Sequence, residues 1–189
     1  KSRELGVHLD AADEEDSATM KRVLARVKEL ELRGYTFDAA DASFELLLRR
    51  ELNGGLPPYF DVESWRVITD RREDGEALSE ATVKVHAAGR RTVAVGEGNG
   101  PVNALDHALR EALCTAYPEI GDLELIDYRV RILDASHGTD AVTRVLIETA
   151  DGETSWSTIG VHPNIVEASW EALVDAVTYG LVRTGVPAR

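Results

Sequence analysis

Cysteine is almost missing from this chain: Cys114 stands alone among 189 residues. A single thiol forms neither an internal disulfide nor a cysteine-rich zinc site. In the run ALREALCTAY it falls at helical spacing, where a small buried apolar side chain is expected. One unpaired cysteine also fits a reducing compartment, so a cytoplasmic location is expected. Basic charge is scarce too. Lys and Arg total 21 against 34 Asp and Glu, a formal net charge of -13. Nucleic-acid binders need a basic face to displace counterions from phosphates. No basic stripe stands out, and no nucleic-acid partner is expected.

Long apolar runs are absent. Nothing approaches the ~20 residues that cross a bilayer, and KSRELGVHLDAADEED has no signal-peptide core. No membrane partner is expected. No methionine opens the chain, so a fragment of a longer protein is expected. Catalytic constellations are lacking as well. His8, His86, His107, His137 and His162 are scattered without metal-ligand spacing such as H-E-x-x-H, and surface or capping roles are expected for them. His162, beside a loop discussed below, is the one to watch. No Ser/His/Asp order and no defensible carboxylate pair emerges, and Cys114 has no evident activating partner. The expectation is no catalytic residue, no metal site and no cofactor in this chain.

What is present is enough for a real core: 43% hydrophobic and 29% charged residues, outside the range of disordered chains. The first part reads as two helices. The acidic run 10–16 offers caps and negative charge for a helix start. Met20, Val23, Val27 and Leu30 then recur every three or four residues, and Gly34 is a plausible stop. FDAADASFELLLRREL predicts a second helix with Phe37, Ala40, Phe44, Leu47 and Leu48 on one side, ended by Asn53-Gly54-Gly55 and Pro57-Pro58. That break predicts a helical linker subdomain over 1–56 and a second domain over 57–189.

The second part repeats itself. YFDVESWRVITD, ATVKVHA and RTVAVGEG read as three strands, followed by the helix PVNALDHALREALCTAY. LELIDYRVRILD, TDAVTRVLIETA and TSWSTIGV read as three more, followed by NIVEASWEALVDAVTYGLVR. A shift of 64 residues lays Gly96 on Gly160 and Ala104, Ala108 and Ala112 on Ala168, Ala172 and Ala176. The hairpin glycines Gly89 and Gly152 need a one-residue slip. This is an internal duplication of a βββα unit, over 59–118 and 122–185. The predicted fold class is α+β: two pseudo-twofold-related βββα units packed around one core, preceded by the two-helix linker. Trp65, Trp156 and Trp170 are expected to fill core or interface.

Two equivalent loops lead into the two closing helices: GEGNGPV and GVHPNIV. Glycines let backbone amides approach a ligand, and a helix start adds unpaired donors and partial positive charge. Asn99 or Gly100 can cap, and Pro101 suits the first helical position. The loop is neither a G-x-G-x-x-G dinucleotide turn nor a Walker loop. A purely structural turn and a small-anion site both remain open on this ground alone.

The run VGEGNGPVNALDHALREAL, the strand LIDYRV and the closing GVHPNIVEASWEALVDAVTYGL resemble the C-terminal allosteric domain of the 2-isopropylmalate synthase and citramalate synthase family. KELELRGYTFDAADASFELLLRR resembles the linker that joins that domain to its catalytic barrel. The resemblance covers essentially the whole chain and is nearer to citramalate synthases. It implies a homodimer that binds a branched-chain amino acid as feedback inhibitor: isoleucine typically for citramalate synthases, leucine for isopropylmalate synthases. It also implies a (β/α)8 barrel with a divalent metal, condensing acetyl-CoA with a 2-oxo acid. This chain is too short for that barrel and shows no HxH pair.

Carried over residue by residue, the resemblance implies an effector site using Gly98, Asn99, Gly100, Val102 and Asn103 of the loop. It adds Leu125, Tyr128 and Ile132 of the strand, and Thr139, Ala141 and Val142 beyond it. Loop amides would hold the carboxylate, and Leu125, Ile132 and Val142 an aliphatic side chain. Asp127 could hold an ammonium, but alternation turns it away from Tyr128. Two readings from other classes compete. A helix, three strands and a helix match the layout of double-stranded-RNA-binding domains. The stretch that would grip phosphate, GNGPVNALDHALREAL, holds one Arg and no Lys, which argues against it. A free-standing enzyme finds no constellation to support it.

Overall fold

Strand alternation, two glycine-bearing hairpins and alanine-rich helices yield an α+β chain in the computed structural model, which describes residues 14–52, 55–71, 73, 75–133, 138 and 140–188. Two helices come first, α1 (Glu14–Leu32) and α2 (Asp41–Glu51). Then follow β1 (Phe60–Arg71), β2 (Ala77–Ala87), β3 (Arg90–Gly98) and α3 (Pro101–Leu113). After a short 3-10 turn at Pro118–Asp122 come β4 (Glu124–Ile132), β5 (Thr143–Ala150), β6 (Ser155–His162) and α4 (Ile165–Thr184). The strands form two three-stranded antiparallel sheets, in the orders β1-β2-β3 and β4-β5-β6. Each sheet is followed by its helix, the βββα order expected from the duplication.

Several boundaries differ from expectation. Helix α2 begins at Asp41 rather than Phe37, and β5 begins at Thr143 rather than Thr139. The acidic run 10–16 lies partly outside the described residues; α1 opens at Glu14. Cys114 is half-buried rather than buried, and its thiol donates to the Glu111 carbonyl at 3.2 Å. It sits one residue past α3, where the helix face no longer dictates burial.

The chain divides into two compact units. One gathers Pro58–Leu125, Thr149–Ser155 and Val177–Arg189. Its sheet pairs β2 with both neighbours, and a two-residue turn of Ala88 and Gly89 joins β2 to β3. Both turn residues have positive φ, 51° and 68°, the twist that two-residue hairpins favour. On one sheet face Ala81, Val83, Val85 and Ala87 are buried, with Leu105, Leu109 and Leu113 of α3 fully buried in the same unit. The other face is open, with Ile68, Val93 and Val95 about half exposed at 48%, 49% and 53%. A register shift between Val62 and Ser64 brackets Glu63. Its carboxylate takes two bonds from Arg91, at 2.6 and 2.9 Å, and meets His86 Nε2 at 3.2 Å. The Arg91 guanidinium holds the Glu63 carboxyl down to about 2.

The other unit gathers the N-terminal segment to Pro57 with Ile126–Glu148 and Trp156–Ala176. Helix α1 stops at Gly34, whose φ of +107° no other residue adopts cheaply. Arg144 Nε donates to the Gly34 carbonyl at 2.7 Å and ties the stop to β5. Leu30, Tyr35, Phe37, Ala40 and Leu47 then bury against Ile159 and Val161 of β6. Alternation sends the other β6 residues to α4: Trp156 Nε1 donates to Ala176 O at 3.2 Å and Thr158 Oγ1 to Ala172 O at 2.8 Å. Strand β6 is therefore covered on both faces. Each of these large apolar side chains contributes roughly 1.5–3 kcal/mol on burial.

Candidate functional site

The glycines of the first loop are explained first by packing. A Cβ on Gly96 would run into the Ala108 amide and the Ala104 carbonyl of α3. A Cβ on Gly98 would lie 2.5 Å from Asn103 Oδ1 and 2.6 Å from the Ala104 nitrogen. These two positions let the helix backbone lie directly on the strand. Gly100 is different: a Cβ there meets nothing within 4 Å. It is the N-cap of α3 in extended conformation (φ -166°), with Pro101 at the first helical position, as expected.

No side chain caps the first turn of α3. The Asn103 side chain turns back instead, accepting from the Asn99 amide at 3.3 Å. Its carboxamide nitrogen lies 3.4 Å from His107 Nε2, and His107 Nδ1 lies 2.7 Å from the Glu97 carbonyl. A carbonyl only accepts, so this bond puts the His107 proton on Nδ1 and leaves Nε2 to accept from Asn103. His107 thus holds Asn103, and Asn103 holds the loop. Sequence reasoning gave His107 only a surface or capping role; its signal was the four-residue spacing from Asn103, which stacks the two on one helix face.

Of the other expected residues, Leu125 is half-buried and shares the loop's unit. Tyr128, Ile132, Ala141 and Val142 belong to the other. The Tyr128 hydroxyl pairs with Ser169 Oγ of α4 at 2.8 Å, and Ser169 Oγ donates to Ile165 O at 2.7 Å. Asp127 turns to the opposite face, where Arg129 Nε meets it at 2.7 Å. Alternation sets Ile132 on the Tyr128 face, and it is 57% exposed. The Leu133 amide donates to the Val142 carbonyl at 2.8 Å, joining the end of β4 to the approach of β5. Val142 itself packs on the cluster around Leu30 and Phe37, and Ala141 is buried. Thr139 lies outside the described residues.

The second loop resolves its helix start locally. Asn164 Oδ1 accepts from the Val166 amide at 2.8 Å, a side-chain N-cap. His162 Nδ1 accepts from the Asn164 amide at 2.9 Å, so this histidine shapes the turn.

Sequence reasoning missed a polar clasp between the N-terminal helices and α4. The Tyr35 hydroxyl donates to Glu171 Oε1 at 2.5 Å, while Glu171 Oε2 accepts from the Val161 amide at 3.1 Å. Burial, then this bond to a carboxylate, raises the Tyr35 pKa well above that of a free tyrosine. Ser43 Oγ donates to Asp175 Oδ2 at 2.9 Å and accepts from the Ile159 amide at 3.1 Å. Arg50 reaches Asp175 Oδ1 at 2.8 Å. The pairs Tyr35–Glu171, Ser43–Asp175 and Arg50–Asp175 are each more than a hundred residues apart, so no local spacing announces them.

Among the described residues, no group of three or more His, Cys, Asp or Glu side chains is gathered as metal ligands would be. No described helix is long and apolar enough to cross a membrane.

A family model described as the LeuA allosteric (dimerisation) domain matches residues 38–181. An (R)-citramalate synthase of Streptomyces coelicolor is 58% identical over 186 residues, covering 98% of this chain and 34% of its own. Proteins of the same name from Aquifex aeolicus and Geobacter sulfurreducens are 46% and 47% identical, over 97% and 96% of this chain and 34% of each of theirs. The chain thus spans about a third of the length of these curated relatives.

Proposed function

We infer that this chain, which belongs to the LeuA allosteric (dimerisation) domain family, is the feedback-sensing part of an acetyl-CoA-dependent 2-oxo acid condensing synthase of the citramalate type. The observation that carries this is similarity to proteins named (R)-citramalate synthase along nearly the whole chain. The effector we propose is isoleucine. The chain would work as a homodimer in the cytoplasm, attached to its own catalytic barrel. The divalent metal and acetyl-CoA would belong to that barrel; this chain would bring no chemistry of its own.

The effector residues are proposed as follows. The Gly98–Asn103 loop and the uncapped start of α3 would take the carboxylate, because first-turn amides free of side-chain caps are donors aimed at an anion. Leu125, Tyr128, Ile132, Thr139, Ala141 and Val142 are proposed as further contributors on the family resemblance. Ile132 is exposed while the Val142 side chain is already packed, which favours Ile132 over Val142 as a contributor.

A thermal-shift series with isoleucine, leucine, valine and a straight-chain amino acid tests the reading. Ligand at a hundred times its dissociation constant should stabilise by about 2.7 kcal/mol. A larger rise with isoleucine than with the other three, the excess lost in Tyr128→Ala relative to that variant's own unliganded baseline, is the expected result. A rise with leucine alone would move the protein to the isopropylmalate branch. No shift with any of the four, in this chain and in the full-length synthase, would sink the proposal. Sedimentation of the unliganded chain tests the dimer.

A further inference from the structure

The unit built on the N-terminal helices holds a half-open cavity of about 260 Å³ lined from α1, α2, β6 and α4. None of the effector residues named above lines it. Its apolar walls are Leu30, Phe37, Leu47 and Ile159, all buried. Its polar walls carry both signs of charge: Arg26 and Arg50 against Glu51, Glu171 and Asp175. We propose that this cavity is a second, separate small-molecule site, taking a zwitterionic α-amino acid with an apolar side chain.

Not all the polar walls are free to bind. Glu171 is occupied by Tyr35 and the Val161 amide, and Asp175 by Ser43 and Arg50. Those bonds fix the walls and aim the Arg50 guanidinium. Arg50 contributes one Nη2 bond to Asp175, and a guanidinium has five N–H donors. Arg26 is held by Glu29 at 2.6 Å in an exposed pair, an interaction that a ligand carboxylate exchanges at little cost. Glu51 meets Arg22 Nε only at 3.7 Å. The arginines thus suit a carboxylate, Glu51 an ammonium, and the buried apolar wall a side chain.

Charge and size narrow the class. A simple anion meets three carboxylates against two guanidiniums, and a simple cation leaves the arginine pair unused. A zwitterion with both groups on one carbon uses both. The volume equals roughly nine water molecules at about 30 Å³ each, room for an amino acid of leucine to phenylalanine size. The proposal does not depend on the effector reading, since the two sets of residues are disjoint.

Amide chemical-shift titrations of this chain with phenylalanine, norleucine and isoleucine test it. They are repeated with phenylalaninamide, which lacks the carboxylate, and with 3-phenylpropanoate, which lacks the ammonium. Saturable shifts at Ser43, Leu47, Ile159 and Glu171 are expected, persisting in Tyr128→Ala. Arg26→Ala and Glu51→Gln are each expected to raise the dissociation constant about tenfold with the melting temperature unchanged. Either truncated ligand should lose affinity by a similar factor. Shifts confined to Gly98–Asn103 and Tyr128 would overturn the second site while leaving the effector reading intact. Binding at the cavity that ignores both substitutions would overturn the recognition proposed for it.

Discussion

In the first repeat α3 starts at Gly100 and Pro101 with no side chain on its first amides. In the second, Asn164 caps α4 with its own carboxamide while His162 braces the turn. Yet the two helices meet their sheets in the same way. Gly96 lies under Ala104 and Ala108, and Gly160 under Ala168 and Ala172, the same residues 64 positions on. The packing has been held in common and the capping has not. Packing residues are therefore read as structural in both repeats. Asn164 claims one first-turn amide of α4, while no side-chain cap bond is made at the start of α3, and that asymmetry makes the first loop the better candidate for a ligand carboxylate.

The largest expected effect tests the shared part. Gly160→Ala puts a methyl into the Ala168 carbonyl, and Gly96→Ala puts one onto the Ala108 amide. Each neighbour is helix backbone and cannot turn aside, so each substitution should cost about 3 kcal/mol in urea unfolding. If one costs that much and the other nearly nothing, the equivalence of the repeats is broken. The next effect tests the difference. Asn164→Ala removes a cap and should cost about 1 kcal/mol. Asn99→Ala in the first loop should stay within about 0.5 kcal/mol of the parent stability, since only its backbone amide is engaged. Its affinity for isoleucine tests whether the loop takes part in binding.

The hairpins differ in the same spirit. The second repeat turns through Asp151 and Gly152, with the Asp151 carboxylate accepting from the Glu153 and Thr154 amides at 3.0 and 2.9 Å. The first turns through Ala88 and Gly89, and Ala88 is the only non-glycine with positive φ among the described residues. That conformation costs a Cβ-bearing residue roughly 1–2 kcal/mol, part of which glycine gives back in chain entropy. Ala88→Gly should therefore stabilise by about 0.5–1 kcal/mol, read as a raised urea midpoint with an unchanged slope. A destabilisation would show that the turn is not held as described.

The elements with local grammar were legible beforehand. Alternation with Gly89 and Gly152 marked the strands, and the 64-residue shift marked the glycine–alanine contacts before their purpose was visible. Helix α2 starts four residues after the apolar period that Phe37 and Ala40 extend. They are buried, but from an irregular segment packed into the core cluster. Periodicity reports burial, and burial does not require a helix. The effector residues came from resemblance, and only the Gly98–Asn103 part also had a physical argument from spacing. The clasp of Tyr35 with Glu171 and of Ser43 and Arg50 with Asp175 had no signal, because a contact between distant residues exists only after the elements are packed.

The smallest effect concerns pH and separates the sheets again. Glu63 on the first sheet is paired with Arg91 and His86. The position 64 residues on, Asp127, finds Arg129 on its own strand instead. The Glu63 carboxyl is depressed from 4.5 to about 2, chiefly by its bond from Arg91. A depressed carboxyl stabilises the folded state fully above its unfolded value and loses that contribution as pH falls through the folded one. The window is therefore pH 4.5 down to about 2. Glu63→Gln should flatten the fall of the melting temperature across that window without moving the neutral plateau far, because the pair is exposed and screened. Asp151, also depressed by the Thr154 and Glu153 amides, should keep part of the acid limb in place. An acid limb identical in parent and variant would assign the whole of it away from the first sheet.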